Sequence, residues 1–341
     1  MRIGRPVRRG TLSGSTLTSS AQVSRRVDVN APIRISAVVI TKGRPDELGE
    51  TLTALLDCDP RPDEIVVVDG DDARSAEPTV EGLRKQAAIP MLYELSEPSR
   101  SIQRNRGVEV ATGDVIVFLD DDVSVEPGVF ATLAAAYKET DVAGATGKVI
   151  EPDRRRIGTQ ASRIRRLLFP GGPQGSLTSF GYPRRILDPE RACDVEWMQG
   201  CFMSARRELA RKVPLDELIA ARFDGEDEDF SYRLSRLGRI RYLPEAIVNH
   251  KGLGLASTGE REREFNRDIV LVRAYLFRKN FNPTLRTRIQ FGALVAILFV
   301  HRALNREWAG ARGVLDGAWR VARTHQTAKL LTAYDSTRSA P

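Results

Sequence analysis

Cysteine is scarce in this chain, and several common binding motifs are missing. Cys58, Cys193 and Cys201 contain no CxxC pair, and three cysteines cannot all form disulfides, so neither a zinc knuckle nor a disulfide framework is expected. The chain also lacks a P-loop, a GxGxxG after a strand and an RNP motif. Because only charge would then favour nucleic acid, we expect no nucleic-acid partner, and the cysteine content favours a reducing compartment.

The sequence also has few segments suited to a membrane. Ile289–Val300 contains twelve residues of which only Gln290 is clearly polar, whereas about 20 apolar residues are needed to span a bilayer. Two interpretations stay open, a core helix and a helix lying in the membrane interface. The second is favoured by four flanking basic residues, Arg286, Arg288, Arg302 and Arg306.

Charge is plentiful and is biased towards basic residues. The 341 residues carry a net charge of +7 and are 41% hydrophobic and 28% charged. The balance predicts anionic partners such as phosphorylated ligands or an anionic membrane surface. Residues 1–31 are rich in Arg and Ser and lack the apolar region of a signal peptide, so they predict a disordered basic arm. We expect a second disordered tail at 331–341.

Strand and helix patterns alternate from residue 33 to about 150. Apolar, β-branched runs at 34–40, 63–70, 91–95 and 114–120 read as buried strands, and helical periodicity fills the segments between them. This alternation predicts an α/β fold with a mainly parallel sheet flanked by helices. We divide the chain into a catalytic domain at 32–255, with halves at 32–150 and 151–255, and C-terminal helices at 256–330. The arginine-rich part of the second half, 151–190, predicts a long loop or lid.

Three aspartates, Asp120, Asp121 and Asp122, directly follow the fourth predicted strand. Ligands bind parallel α/β sheets outside the carboxyl ends of the strands, and Asp69 and the loop Thr41–Arg44 follow two other strands. Side chains two residues apart in an extended segment point the same way, so Asp120 and Asp122 can face one site. Carboxylate oxygens suit Mg²⁺ or Mn²⁺, which predicts a divalent metal site here.

Four sequence blocks together resemble family 2 glycosyltransferases. They are AVVITKGRPDELGETLTALL, DEIVVVDGDD, SIQRNRGVEVATGDVIVFLDDDVSVEPG and GEDEDFSYRLSRLG, in this order over residues 33–255. The resemblance implies a GT-A fold and an inverting enzyme that transfers a hexosyl or deoxyhexosyl group from a nucleotide sugar. It also implies a glycan or lipid-linked acceptor and a Mn²⁺ or Mg²⁺ cofactor.

The same resemblance implies the residues that bind the donor. Asp122 matches the principal metal ligand, and Asp120 would contact the ribose or the metal. His250, which closes YLPEAIVNH, matches a histidine that completes the metal site in several family members. The remaining donor contacts are expected from Thr41, Arg44, Asp69, Arg104 and Asp121.

The block GEDEDF matches the acidic motif at the start of a family helix. An acceptor hydroxyl is a poor nucleophile, so a carboxylate must take its proton as the new bond forms. By this match Asp227 is the first choice for the general base, Asp229 the second, and Glu226 would orient the acceptor. Acids in the first turn also complement the helix dipole, but that accounts for one or two acids rather than four in four residues.

Two other functions stay open on the sequence. A sugar nucleotidyltransferase has a related sheet but would need a Gly-rich phosphate loop after the first strand, which TKGRP does not resemble. A non-catalytic glycan- or membrane-binding relative would lack some of the acidic residues Asp120, Asp122 and Asp227, all of which are present here. We expect a cytoplasmic protein that is peripheral at the inner face of the cell membrane and acts in cell-surface polysaccharide or glycolipid assembly.

Overall fold

The computed structural model of the protein describes residues 31–151, 171–219, 224–252 and 259–332. The described residues from Pro32 onward belong to one compact unit. Residues 1–30 of the predicted basic arm, the segment 152–170 of the predicted lid and residues 333–341 of the predicted tail lie outside the described residues.

The first four strands form the parallel sheet that the alternation predicts. They pair in the order β3-β2-β1-β4, and each neighbouring pair is parallel. Their apolar runs are buried along nearly their whole length in β1, β2 and β4, as expected for strands covered on both faces. The strands are β1 (Ile35–Thr41), β2 (Glu64–Asp69), β3 (Met91–Leu95) and β4 (Val115–Asp120).

The sheet continues beyond β4 with strands of both directions. β8 is antiparallel to β4 and β6, whereas β6 and β9 are parallel. The apolar runs IRYLP and AIVNH predict two separate strands on either side of Glu245, but the structure has one long strand here, with a register shift. The three-residue β5 is not predicted by the sequence pattern. These strands are β5 (Val123–Val125), β6 (Val142–Ile150), β7 (Cys193–Val195), β8 (Phe202–Arg206) and β9 (Arg239–His250).

Helices cover both faces of the sheet. Alternate residues of β1 point to opposite sides, so that Ala37 and Val39 join one apolar cluster and Val38 joins the other. The first cluster is covered by α1 (Pro45–Asp57), α2 (Glu77–Arg84) and α4 (Val129–Ala136), and the second by α3 (Arg100–Val110), α5 (Arg207–Lys212) and α6 (Glu226–Ser235). The α/β fold with a central sheet flanked by helices is therefore confirmed.

The predicted C-terminal helices form a third apolar cluster. They are α7 (Glu260–Asn280), α8 (Leu285–Leu304), α9 (Trp308–Arg323) and the short α10 (Lys329–Thr332). α9 packs closely along α7, and α7 also contacts α6. Among the described helices, α8 alone is long and apolar enough to cross a membrane when judged by length and composition.

Candidate active site

The carboxyl ends of three parallel strands lie side by side. In the sheet register Ile40 of β1 pairs with Asp120 of β4, and Thr41 pairs with Asp69 of β2. The predicted loop residues therefore meet at one edge of the sheet. Asp69 is fully buried there and accepts hydrogen bonds from the Tyr93 hydroxyl at 2.8 Å and the Asp71 backbone N–H at 2.8 Å.

Asp121 points into the protein between β1 and α1. Its Oδ2 accepts a 2.7 Å hydrogen bond from the Thr41 hydroxyl, and Arg44 forms an ion pair with its other oxygen. The Thr51 hydroxyl of α1 donates to the Asp121 backbone oxygen at 2.7 Å. Burial raises the pKa of Asp121 to about 6, although the Thr41 and Arg44 contacts oppose the shift. Asp121 thus joins the turn after β4 to the loop after β1 and to α1.

Asp120, Asp122 and His250 form a cluster with the spacing of a metal site. One ligand atom from each of these side chains lies within 4.8 Å of the others. β5 turns back and pairs with β9 so that Val123 stands opposite His250, which brings the histidine beside the aspartates. Two carboxylates and an imidazole suit Mn²⁺, and carboxylates suit Mg²⁺.

Hydrogen bonds and ion pairs among Asp122, His250, Arg44 and Glu151 hold the side chains of this cluster in place. Asp122 Oδ1 lies 3.2 Å from His250 Nε2, and Arg44 lies 3.4 Å from Asp122 Oδ2. Burial opposes ionisation of Asp122, but the His250 hydrogen bond and the charges of His250 and Arg44 outweigh it and lower the pKa of this carboxyl. The other ring nitrogen of His250 is 3.1 Å from Glu151, an arrangement that orients metal-binding histidines. These contacts fit a divalent cation at the cluster.

Glu151 was not identified from the sequence. It follows β6, whose last residues pair in parallel with the end of β9 that carries His250. The only sequence signal was its position just after a strand, and that signal becomes useful only when β6 is known to lie next to β9.

Arg104 of α3 is a buried link between two parts of the site. Its guanidinium is 1% exposed and donates to Asp120 Oδ1 at 2.9 Å, to Glu226 Oε1 at 2.9 Å and to the Gly200 carbonyl at 3.0 Å. Arg104, which the sequence predicts as a donor contact, therefore joins Asp120 to Glu226 of the acidic helix α6. Arg100, which no sequence motif indicated, adds a second contact to Glu226 at 3.0 Å.

Asp227 is held against the backbone of Gly200. Its Oδ2 accepts a 3.1 Å hydrogen bond from the Gly200 N–H, and a Cβ added at Gly200 would lie 3.4 Å from the same oxygen. Gly225 starts α6 with a φ of 125°, a conformation that favours glycine, and its Cα faces Val272 of α7. Burial, followed by the neighbouring Glu226 and Glu228 carboxylates, raises the pKa of Asp227 to about 8.

Asp229 occupies a different environment from Asp227. It is fully buried and binds Arg233 at 2.6 Å, Lys279 at 2.9 Å and the Asn280 side chain at 2.8 Å. Each of its oxygens thus has a partner on α6 or α7. Glu226 is likewise buried in contacts with Arg100 and Arg104, so of the three predicted catalytic acids Asp227 has the fewest charged partners.

Comparisons with known proteins identify the family. The model of glycosyl transferase family 2 matches residues 36–213, which include Asp120–Asp122 and end before Asp227. The succinoglycan biosynthesis protein ExoM of Rhizobium meliloti is 28% identical over 305 residues, 84% of this chain and 91% of ExoM.

Two solved structures share the fold. The mannosyltransferase PcManGT of Pyrobaculum calidifontis, solved with GDP-Man and Mn²⁺, is 15% identical with a TM-score of 0.51, and the match covers 91% of this chain and 81% of PcManGT. GalNAc-T7, solved with UDP, GalNAc and Mn²⁺, is 14% identical with a TM-score of 0.51, covering 72% of this chain and 50% of GalNAc-T7. With the GT-A fold and a family match over more than half of its length, this chain belongs to glycosyl transferase family 2 and is an enzyme that transfers sugars.

Proposed function

We propose that the enzyme transfers a sugar from a nucleotide-diphospho-sugar to an acceptor hydroxyl with inversion at the anomeric carbon. The observation that carries this proposal is the short path between the metal-site aspartates and Asp227. Arg104 contacts both Asp120 and the Gly200 carbonyl, and the N–H of the same glycine binds Asp227. A donor held at the aspartates would therefore have its sugar close to the proposed base.

The donor is proposed to bind at the edge formed by β1, β2 and β4. Asp120, Asp122 and His250 would hold Mn²⁺ or Mg²⁺, which when bound supplies positive charge to the leaving diphosphate. Asp69 is proposed to contact the base, with Thr41, Arg44 and Asp121 forming the adjacent wall. PcManGT and GalNAc-T7 carry Mn²⁺ with nucleotide ligands in this fold, which supports the same ligand class.

Asp227 is proposed as the general base. Its carboxylate takes the proton of the acceptor hydroxyl while the acceptor oxygen forms the new bond to the anomeric carbon. The bond from that carbon to the diphosphate oxygen breaks on the opposite side, and the nucleoside diphosphate leaves with the electron pair. A raised pKa makes Asp227 a stronger base than an ordinary carboxylate, which suits proton removal. Glu226 and Asp229 are proposed to support α6 rather than to take the proton.

The acceptor is proposed to be a glycan or a lipid-linked glycan in cell-surface polysaccharide or glycolipid assembly. The resemblance to ExoM, a succinoglycan biosynthesis protein, supports a polysaccharide pathway. An enzyme with a lipid-linked acceptor would act at the cytoplasmic face of the membrane. The net charge of +7 favours binding to such an anionic surface.

Release of products from a panel of nucleotide sugars tests the proposal. With Mn²⁺ present, we expect at least one donor to give nucleoside diphosphate, and we expect Asp227→Asn to bind that donor while its turnover falls at least about 100-fold. Asp57→Asn, an exposed aspartate at the end of α1, serves as the control and should behave as the wild type. Release of pyrophosphate when a nucleoside triphosphate and a sugar 1-phosphate are supplied in place of the nucleotide sugar would instead indicate a nucleotidyltransferase. Unchanged turnover in Asp227→Asn would remove Asp227 as the base.

A further inference from the structure

The solvent side of α8 carries a continuous apolar stripe. Leu285, Ile289, Val300 and Leu304 are 76%, 64%, 45% and 73% exposed, and Ala296 is exposed between them. These residues recur every three to four positions or at multiples of that spacing, so they share one helix face about 30 Å long. The opposite face packs on the protein, where Phe291 stacks on Phe277 of α7 with ring centroids 5.4 Å apart. α8 is therefore apolar on its exposed side as well as its buried side.

The next helix, α9, exposes large apolar side chains in the same way. Trp308, Leu315 and Trp319 are 61%, 52% and 60% exposed, and they include two of the three tryptophans in the chain. The other face of α9 is fixed against α7, since a Cβ at Gly313 would come within 2.1 Å of the Arg263 carbonyl. Both exposed faces thus lie on sides of their helices that turn away from α7.

The surroundings of these two faces are strongly basic. Residues 281–332 contain eight basic residues and only two acidic ones. Both acids are paired, Glu307 with Arg302 at 2.5 Å and Asp316 with Arg263 at 2.7 Å. The exposed basic side chains on α8, on α9 and in the turn between them include Arg286, Arg288, Arg306, Arg312 and Arg323.

Tryptophan and arginine occur together at this surface. The Arg323 guanidinium lies 4.1 Å from the centre of the exposed Trp319 ring. Tryptophan favours the boundary between lipid headgroups and acyl chains, and arginine keeps its charge in the headgroup layer while its stem covers apolar surface. The pair therefore matches the chemistry of a membrane interface.

We propose that α8 and α9 dock this surface into the interface of an anionic membrane. α8 as a whole is long enough to cross a membrane, but its stretch without charged residues, Ile289–Val300, covers only about 18 Å of the roughly 30 Å hydrocarbon core. Its Phe291 and Leu294 are also buried against the protein. The helix therefore lies in the interface rather than crossing it. A second copy would bring the same exposed basic residues to this surface, so the charge favours an anionic membrane over self-association.

The docked surface is one helix away from the proposed general base. α7, on which α8 and α9 pack, binds Glu228 of α6 through Arg273 and Asp229 through Lys279 and Asn280. If the proposed function holds, docking brings the acceptor side of the site to the membrane surface and favours a lipid-linked acceptor. The docking itself does not depend on that function.

Vesicle co-sedimentation of the full chain tests the docking. We expect binding to vesicles of phosphatidylglycerol and phosphatidylethanolamine, and at least about tenfold weaker binding to phosphatidylcholine vesicles or at about 0.5 M salt. A triple variant, Ile289→Ser with Val300→Ser and Leu304→Ser, and a double variant, Arg286→Glu with Arg312→Glu, should each bind at least about tenfold more weakly. With brominated lipids, tryptophan fluorescence should be quenched in the wild type and much less in Trp308→Phe combined with Trp319→Phe.

Leu187→Ser is the matched control, because Leu187 is 72% exposed and lies outside these helices. It should bind vesicles as the wild type does, and thermal unfolding checks that all variants are folded. A wild-type chain that stays in the supernatant, or a triple variant that binds equally well, would overturn the proposal. So would a wild-type dimer that becomes a monomer in the triple variant without any vesicle binding. Hydrolysis of nucleotide sugars in vesicle-free solution tests the proposed transferase function separately.

Discussion

Asp120, Asp121 and Asp122 are neighbours in sequence but have three different surroundings. Asp120 pairs with the buried Arg104, Asp121 is buried against Thr41, and Asp122 faces His250. Three carboxylates at the end of a strand would repel each other, and each contact reduces that cost by supplying a donor or a positive charge. The arrangement leaves Asp120 and Asp122 together beside His250.

The pH dependence of activity provides a test of Asp227. Because burial and then the Glu226 and Glu228 charges raise its pKa to about 8, the side chain is mostly protonated at pH 6 in the free enzyme. A general base must be deprotonated, so we expect kcat/KM to increase with pH and to level off above about 8. Initial rates from pH 6 to 9.5 at saturating Mn²⁺ measure this profile.

Donor binding supplies the control for that profile, since it should not follow the same titration. A kcat/KM that is constant from pH 6 to 9, with the donor affinity also constant, would contradict the assignment of the base to Asp227.

Some residues of the site could be predicted from the sequence, and others could not. Thr41, Asp69 and Asp120–Asp122 follow apolar strands, and the strand pattern alone predicts their common edge. The partner of Arg104 could not be predicted, because Glu226 is 122 residues away and is reached only after α6 packs against α3. Glu151 was missed for the same reason, since its contact with His250 spans 99 residues.

At the scale of elements, α6 separates two acids of the same motif. Asp227 points to Gly200 on the sheet side, whereas Asp229 is fixed by Arg233 on its own helix and by Lys279 and Asn280 on α7. Helical geometry accounts for this, since residues two apart on a helix point about 200° apart. The sequence alone does not distinguish Asp227 from Asp229, because the difference depends on where α7 packs.

Thermal unfolding of matched variants tests this division of roles. Asp229→Asn removes the carboxylate charge that Arg233 and Lys279 bind, so we expect the free energy of unfolding to fall by about 2 kcal/mol. This value is smaller than the usual cost of breaking a buried ion pair, because both cations are partly exposed to solvent. Asp227→Asn should change stability little, because its two hydrogen bonds come from the backbone N–H groups of Gly200 and Glu228 rather than from charged side chains.

Turnover per folded molecule completes the comparison, since it should persist in Asp229→Asn and be lost in Asp227→Asn. A stable but inactive Asp229→Asn enzyme would move the base to Asp229.

The strand patterns were less informative where strands run antiparallel or are very short. β5 has three residues directly after the aspartates and no apolar run of its own, yet its pairing with β9 brings His250 to the site. The long β9 read as two strands because Pro244 and Glu245 interrupt its apolar pattern at the register shift. Local patterns therefore predicted the parallel half better than the half that completes the metal cluster.

Across the whole molecule, the proposed donor site depends on strands and loops that are far apart in the sequence. The ligand cluster joins residues from β4, its following turn and the end of β9, and it is supported by Glu151 after β6. The strand order β3-β2-β1-β4-β8-β6-β9-β5 brings these parts together, and such an order cannot be read from periodicity because it depends on long-range pairing.

Binding of nucleotide and metal should therefore stabilise the whole fold. A ligand that binds only the native state stabilises it by about 2.7 kcal/mol at 100 times its Kd, so we expect Mn²⁺ with UDP or GDP to raise Tm by several degrees. With EDTA present, neither nucleotide should give the full increase in Tm. The Asp122→Asn variant should lose most of this increase, whereas the control Asp57→Asn should show the same increase as the wild type. An equal shift in Asp122→Asn would show that the metal–nucleotide complex binds elsewhere. Because the stabilisation depends on the ratio of ligand concentration to Kd, the size of the shift at a fixed concentration measures how tightly the metal–nucleotide complex binds the sheet edge that Asp122 shares with Thr41 and Asp69.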